Sequence, residues 1–129
     1  METWTGRNGN GMTRKLQKIK RDFLNEWKHI VLSPYTARDA CCFMSDEFIC
    51  YLEANGFLVP GPKNNIRTVT GFKFADNACT IVTQGHTAVL IEDTVWDWTA
   101  RQFDEKAPVP LLMPLSQWEA EWKPLILAA

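Results

Sequence analysis

The sequence predicts an α+β domain, with helices in the first half and an antiparallel sheet in the second. Three observations predict it. Apolar residues recur at helical spacing between Met12 and Leu32, and again along Cys41 to Leu52. From Ile66 onward, β-branched and apolar runs alternate with short clusters of turn formers. Glu92-Asp93 then separates two such runs, His86 to Ile91 and Thr94 to Asp97, as a hairpin turn does.

Residues 1–11 are rich in Gly and Asn and read as a flexible N-terminal arm, leaving 12–129 as a single domain. In the first helix, Leu16, Ile19, Phe23, Trp27 and Ile30 form the apolar stripe, and Arg14, Lys15, Lys18, Lys20, Arg21 and Lys28 fall largely between them. Ser33-Pro34 ends it. A second helix is expected from near Thr36 or Asp39, either of which can cap it, to Asn55-Gly56, whose left-handed preference suits a C-terminus. Its stripe of Cys41, Ser45, Phe48 and Leu52 places Cys41 at the N-terminal end.

After Pro60-Gly61-Pro62, strands are expected at Ile66 to Phe74, Ala78 to Thr83 and His86 to Ile91, with Asp76-Asn77 and Gln84-Gly85 as turns. Thr94 to Asp97 adds a fourth. Thr99 to Phe103 reads as a single helical turn, and Pro108, Pro110 and Pro114 keep the following chain extended. Ser116-Gln-Trp-Glu119 matches a capping box opening a C-terminal helix that carries Trp118 and Trp122.

Composition narrows the function classes. A chain of 129 residues, 46% hydrophobic, can build a core without metal or disulfide support. No apolar run approaches the roughly 20 residues of a membrane span, and Met1 to Met12 lacks the apolar centre of a secretory signal. Cys41 and Cys42 are adjacent and so are poor disulfide partners, and the four cysteines show no metal-ligand spacing. The expectation is a cytoplasmic protein with no metal or organic cofactor, acting on or binding a protein or peptide. A net charge of -1 gives no global attraction to nucleic acid, and the basic first helix reads as a solvated face.

The candidate chemistry follows from hairpin arithmetic. A two-residue turn at 92 and 93 sets Ile91 opposite Thr94, Ala88 opposite Asp97 and His86 opposite Thr99. Strand side chains alternate, so His86, Ala88, Leu90 and Asp97 share one face. His86 and Asp97 become diagonal neighbours, about 7–8 Å apart between backbones, within reach of an imidazole-carboxylate hydrogen bond. A cysteine at a helix N-terminus sits at the positive end of the dipole, which favours thiolate. Cys41 is favoured as the nucleophile because it lies on the buried stripe; Cys42, about 100° round the helix, is the alternative. Cys50 and Cys79 read as small core residues and His29 as structural. Asp93 reads as a turn residue, and Asp97 also suits capping of the turn at Thr99 to Phe103.

The pattern Cys41-Cys-Phe-Met-Ser45-Asp-Glu-Phe48, then His86-Thr-Ala-Val-Leu-Ile, then Asp97-Trp-Thr99-Ala-Arg101-Gln102-Phe103, resembles small papain-like proteins of the transglutaminase-like type. Asp39-Ala40 stands where a Gly often precedes the nucleophile in that group. The resemblance implies a papain-like fold, with Cys41 as nucleophile, His86 as base and Asp97 as orienter. It implies amide chemistry through a thioester: peptide cleavage, glutamine deamidation or acyl transfer. Gln102 would brace its segment, and the backbone amide of the nucleophile would supply one oxyanion donor, with no side-chain donor assigned. The rival expectation is a catalytically silent fold that serves as a protein-binding or inhibitory module. A nucleic-acid module built on the first helix is a weaker third.

Overall fold

The computed structural model describes residues 13–57, 66–77 and 80–123, the backbone alone at 74–77 and 80–83. The expected arm at 1–11 and Cys79 lie outside the described residues. The described chain runs α1 (Arg14–Val31), α2 (Pro34–Ala37), α3 (Cys41–Ala54), β1 (Ile66–Asn77), β2 (Thr80–Ile91), β3 (Thr94–Asp97), a 3-10 turn (Ala100–Gln102), β4 (Leu111–Pro114) and α4 (Leu115–Glu121). The strands form one antiparallel sheet in the order β1-β2-β3-β4, so the α+β expectation holds. No helix among the described residues is long and apolar enough to cross a membrane.

Thr13 opens α1 by accepting the Leu16 N–H at 3.2 Å, and Leu16, Ile19, Phe23 and Val31 are buried on its inner side. Arg14, Lys18, Arg21 and Lys28 are exposed on the other. Ser33 accepts the Tyr35 N–H, and with Pro34 in the first turn it starts α2 as well as following the end of α1. α3 closes as expected: Gly56 adopts φ 87, and the Gly56 and Phe57 N–H groups return to the Glu53 and Leu52 carbonyls.

The start of α3 differs from expectation. Asp39 takes φ 60 and Ala40 is the N-cap, with no side-chain capping bond, while the Thr36 hydroxyl donates to the Ile30 carbonyl. Neither predicted cap is used. The first helical bond runs from Met44 N–H to the Ala40 carbonyl, so the N–H groups of Cys41, Cys42 and Phe43 are unclaimed by the helix itself.

The sheet also corrects the sequence reading. Gln84-Gly85 is no turn: β2 runs unbroken through it, with Gln84 opposite Lys73 and Gly85 opposite Phe72. A Cβ at Gly85 would stand 3.2 Å from the Phe72 ring, so this glycine admits a close aromatic contact within a strand. Asp76-Asn77 likewise lies within β1. The proline-bearing segment supplies β4 at the sheet edge, where strand prolines are tolerated. The capping box does not form either. Pro114 precedes α4 directly, the Leu115 N–H bonds the Asp93 carbonyl at 2.9 Å, and Ser116 is already inside the helix.

Helices cover both faces of the sheet. On one, Val89, Ile91, Trp96 and Trp98 pack with Phe23, Phe48 and Leu52 of α1 and α3. On the other, Ala88, Leu90, Val95 and Met113 pack with Trp118 and Trp122. The alternation along β3 sends Asp97 to this second face, between the two tryptophans that point to the first. Cys50, predicted to be a core residue, is exposed because it lies nine positions after Cys41, on the far side of the helix from the buried stripe. His29 is exposed and stacks on Trp27.

Candidate active site

The predicted hairpin register is present: Val89 faces Trp96, Leu90 faces Val95 and Ile91 faces Thr94 across the two-residue turn, with Glu92 at φ 58. Carried two residues further, that register brings the imidazole and the carboxylate together. His86 Nε2 lies 2.7 Å from Asp97 Oδ2, with both residues buried. The other carboxylate oxygen, Oδ1, accepts the Thr99 N–H at 3.1 Å. Asp97 therefore holds the imidazole and caps the following turn at once. Gln102 Nε2 donates to the Thr99 hydroxyl at 3.0 Å and braces that turn, and Arg101 ties it to the Leu32 and Ala107 carbonyls.

His86 is 1% exposed and is fixed by rings as well as by its hydrogen bond. Phe103 meets it edge-on at 4.9 Å between centroids, and Trp122 lies 4.9 Å away at 46°. Trp122 reaches this position because the residue opposite His86 in the sheet is Gly71. A Cβ there would stand 2.5 Å from Trp122 Cβ and 2.6 Å from its carbonyl oxygen. The sequence places Trp122 on a C-terminal helix but gives neither it nor Gly71 a place at the site; a glycine at the midpoint of a β-branched run was the available signal.

Cys41 arrives from the opposite side of the sheet. β3 pairs with β2 only as far as Val89, so the backbone of Thr87 beyond that point is open along that edge. The start of α3 fills the place. Ser45 Oγ donates to the Thr87 carbonyl at 3.3 Å, and the Thr87 N–H stabilises the Cys41 sulfur. Residues 41 and 45, one helical turn apart, thus replace a neighbouring strand and bring the thiol to the imidazole. Cys42 is exposed and contacts the Thr87 hydroxyl at 3.8 Å, so the structure places Cys41, rather than Cys42, against His86.

The electrostatics follow this geometry. Hydrogen bonding to His86 is the largest influence on Cys41 and lowers its pKa from the ordinary 9.0; burial opposes it, and the Thr87 N–H, the imidazole charge and Cys42 add to the lowering. Burial of His86 disfavours its charge, but the hydrogen bonds to Asp97 and Cys41, with their charges, overcome it and raise its pKa from 6.5 to about 9. Nδ1 is buried and, apart from its interaction with the Cys41 sulfur, has no hydrogen-bond partner among the described residues. With Nε2 committed to Asp97, Nδ1 is the nitrogen that serves the thiol. Both shifts favour the thiolate and imidazolium forms of the pair over the neutral ones.

A cleft of about 350 Å³ opens on the α4 side, lined by Asp97, Phe103, Trp122, Lys73 and Glu121 among others. It reaches the carboxylate, and Cys41 is not among the residues that line it. Among the described residues, no group of three His, Cys, Asp or Glu side chains is placed to hold a metal ion. In comparisons with known proteins, no family model, no curated protein and no solved structure matches the chain.

Proposed function

We propose that the protein is a small cysteine-dependent amide hydrolase or acyltransferase of papain-like fold, acting on a protein or peptide. One observation carries the reading: a buried His86 held through Nε2 by Asp97 at 2.7 Å, with Cys41, at the start of a helix, as the polar neighbour for its other nitrogen. The Cys41 thiolate attacks the carbonyl carbon, forming a carbon-sulfur bond while the carbonyl electrons move to oxygen. The Cys41 N–H, which no helical acceptor claims, is available to that oxygen. The imidazolium proton passes from Nδ1 to the leaving amine as the carbon-nitrogen bond breaks, leaving a thioester. Water or an amine then attacks the thioester, with neutral His86 taking its proton, and the thiolate is released. Asp97 keeps Nε2–H in place and balances the imidazolium throughout. Free cysteines and a thiolate nucleophile suit a reducing cytoplasm.

A second reading has its own support. Tyr35 is 89% and Phe43 49% exposed near the start of α3, a surface that suits a silent protein-binding module. Trapping separates the two. Brief exposure to p-nitrophenyl acetate, an acid quench and peptide mapping should find acetyl on Cys41 in wild type and none in His86→Ala. Folded wild-type protein that acquires no adduct leaves the binding module as the function.

A further inference from the structure

A tetrahedral oxyanion needs more than one donor to be held well, and the helix end contributes the Cys41 N–H. We propose that the Thr87 hydroxyl is the second oxyanion donor of this site, an assignment that rests on the acyl-transfer reading above. Thr87 directly follows His86, so strand alternation sends its side chain to the opposite face, toward α3. Its backbone is fixed on both sides, the carbonyl by Ser45 and the N–H by the Cys41 sulfur. The same residue that steadies the thiolate therefore carries a hydroxyl beside it.

That hydroxyl is placed to donate. Thr87 Oγ1 lies 3.0 Å from Thr70 Oγ1 and 3.8 Å from Cys42 Sγ. Thr70 and Cys42 are both exposed, so the hydroxyl stands on the solvent-facing side of the strand, next to the first turn of α3. A hydroxyl has one proton to give and two lone pairs to receive. When Thr70 donates to Thr87, and the Cys42 thiol donates weakly to the same oxygen, the Thr87 proton is free for a carbonyl oxygen. The Thr70–Thr87 chain polarises the donor further as negative charge develops on the oxygen. Gln84 is excluded from this role by the same alternation, because it shares the face of the imidazole.

The test compares two reactions of one thiolate. Iodoacetamide alkylation displaces iodide and forms no oxyanion, whereas acylation by p-nitrophenyl acetate passes through one. In Thr87→Val, which keeps the shape and the backbone N–H, the acylation burst should slow by about 10²-fold. Alkylation of Cys41 should be nearly unchanged, which also shows that the variant is folded and its thiolate intact. Thr87→Ser should recover most of the burst. An equal burst in wild type and Thr87→Val overturns the assignment, as does an equal fall in both reactions, which would mean that only the thiolate was disturbed. Wild type that alkylates rapidly but shows no burst overturns the acyl-transfer reading itself, and this assignment with it.

Discussion

Replacing Asp97 with Asn removes a buried charge while keeping an oxygen for the Thr99 N–H, which makes it the sharpest perturbation of the site. In the native protein His86 titrates at about 9 rather than 6.5 despite its burial. At roughly 1.4 kcal/mol per pH unit, that is about 3.5 kcal/mol of preference for imidazolium. The Asp97 hydrogen bond is the largest favourable contribution to it. Without the carboxylate only the Cys41 hydrogen bond and charge oppose desolvation, so His86 in Asp97→Asn should titrate well below 9. Nuclear magnetic resonance of nitrogen-labelled imidazole, followed against pH, reads this directly. Near-ultraviolet circular dichroism of the tryptophans checks that the variant is folded. A His86 midpoint that stays near 9 in Asp97→Asn would refute the electrostatic reasoning.

The same shift sets a pH dependence of stability, seen cleanly in Cys41→Ser, where the thiol no longer titrates. A pKa raised by folding stabilises the protein fully below the unfolded value of 6.5, and the contribution is lost as pH rises through the folded value. Chemical denaturation of Cys41→Ser should therefore show stability falling as pH rises above 6.5, over a window that ends below 9 because the Cys41 contributions to the shift are gone, and a flat profile there would contradict the raising of the His86 pKa by Asp97. Gly71→Ala should push Trp122 away from His86 and cost about 1–3 kcal/mol as overpacking, measured by thermal melting; an unchanged melting temperature would show that the Trp122 backbone can move aside. Ser45→Ala leaves the Thr87 carbonyl without its donor, at a cost of about 1 kcal/mol, and should slow Cys41 alkylation; unchanged stability and alkylation would deny Ser45 its place at the strand edge.

The parts of the site that depend on local periodicity were legible in the sequence. A two-residue turn and the strand period of two are enough to put His86 and Asp97 on one face, and the helical period is enough to put Cys41 at the end of a buried stripe. The parts that depend on distant chain were not. Gly85 resembles a turn residue until the Phe72 ring is seen over it, and Gly71 has no stated purpose until Trp122 returns from α4 to cover it. β4 was hidden by Pro108 and Pro110 before it and by Pro114 at its end, which an edge strand accepts. Ser45 was part of the stripe, but its hydrogen bond required knowing that β3 stops at Val89 and leaves the edge at Thr87 open. Thr36 and Asp39 have the chemistry of caps, and the backbone turned both elsewhere.

The central claim is that Cys41 is a thiolate activated by His86, and the rate of iodoacetamide labelling across pH tests it most directly. Labelled protein is mapped to separate Cys41 from Cys42, in wild type and in His86→Ala. Cys41 should label fast well below the ordinary thiol value of 9.0, and this advantage should vanish in His86→Ala while Cys42 labels alike in both. Slow labelling of Cys41 in wild type, or the same rate after removal of His86, would contradict the claim.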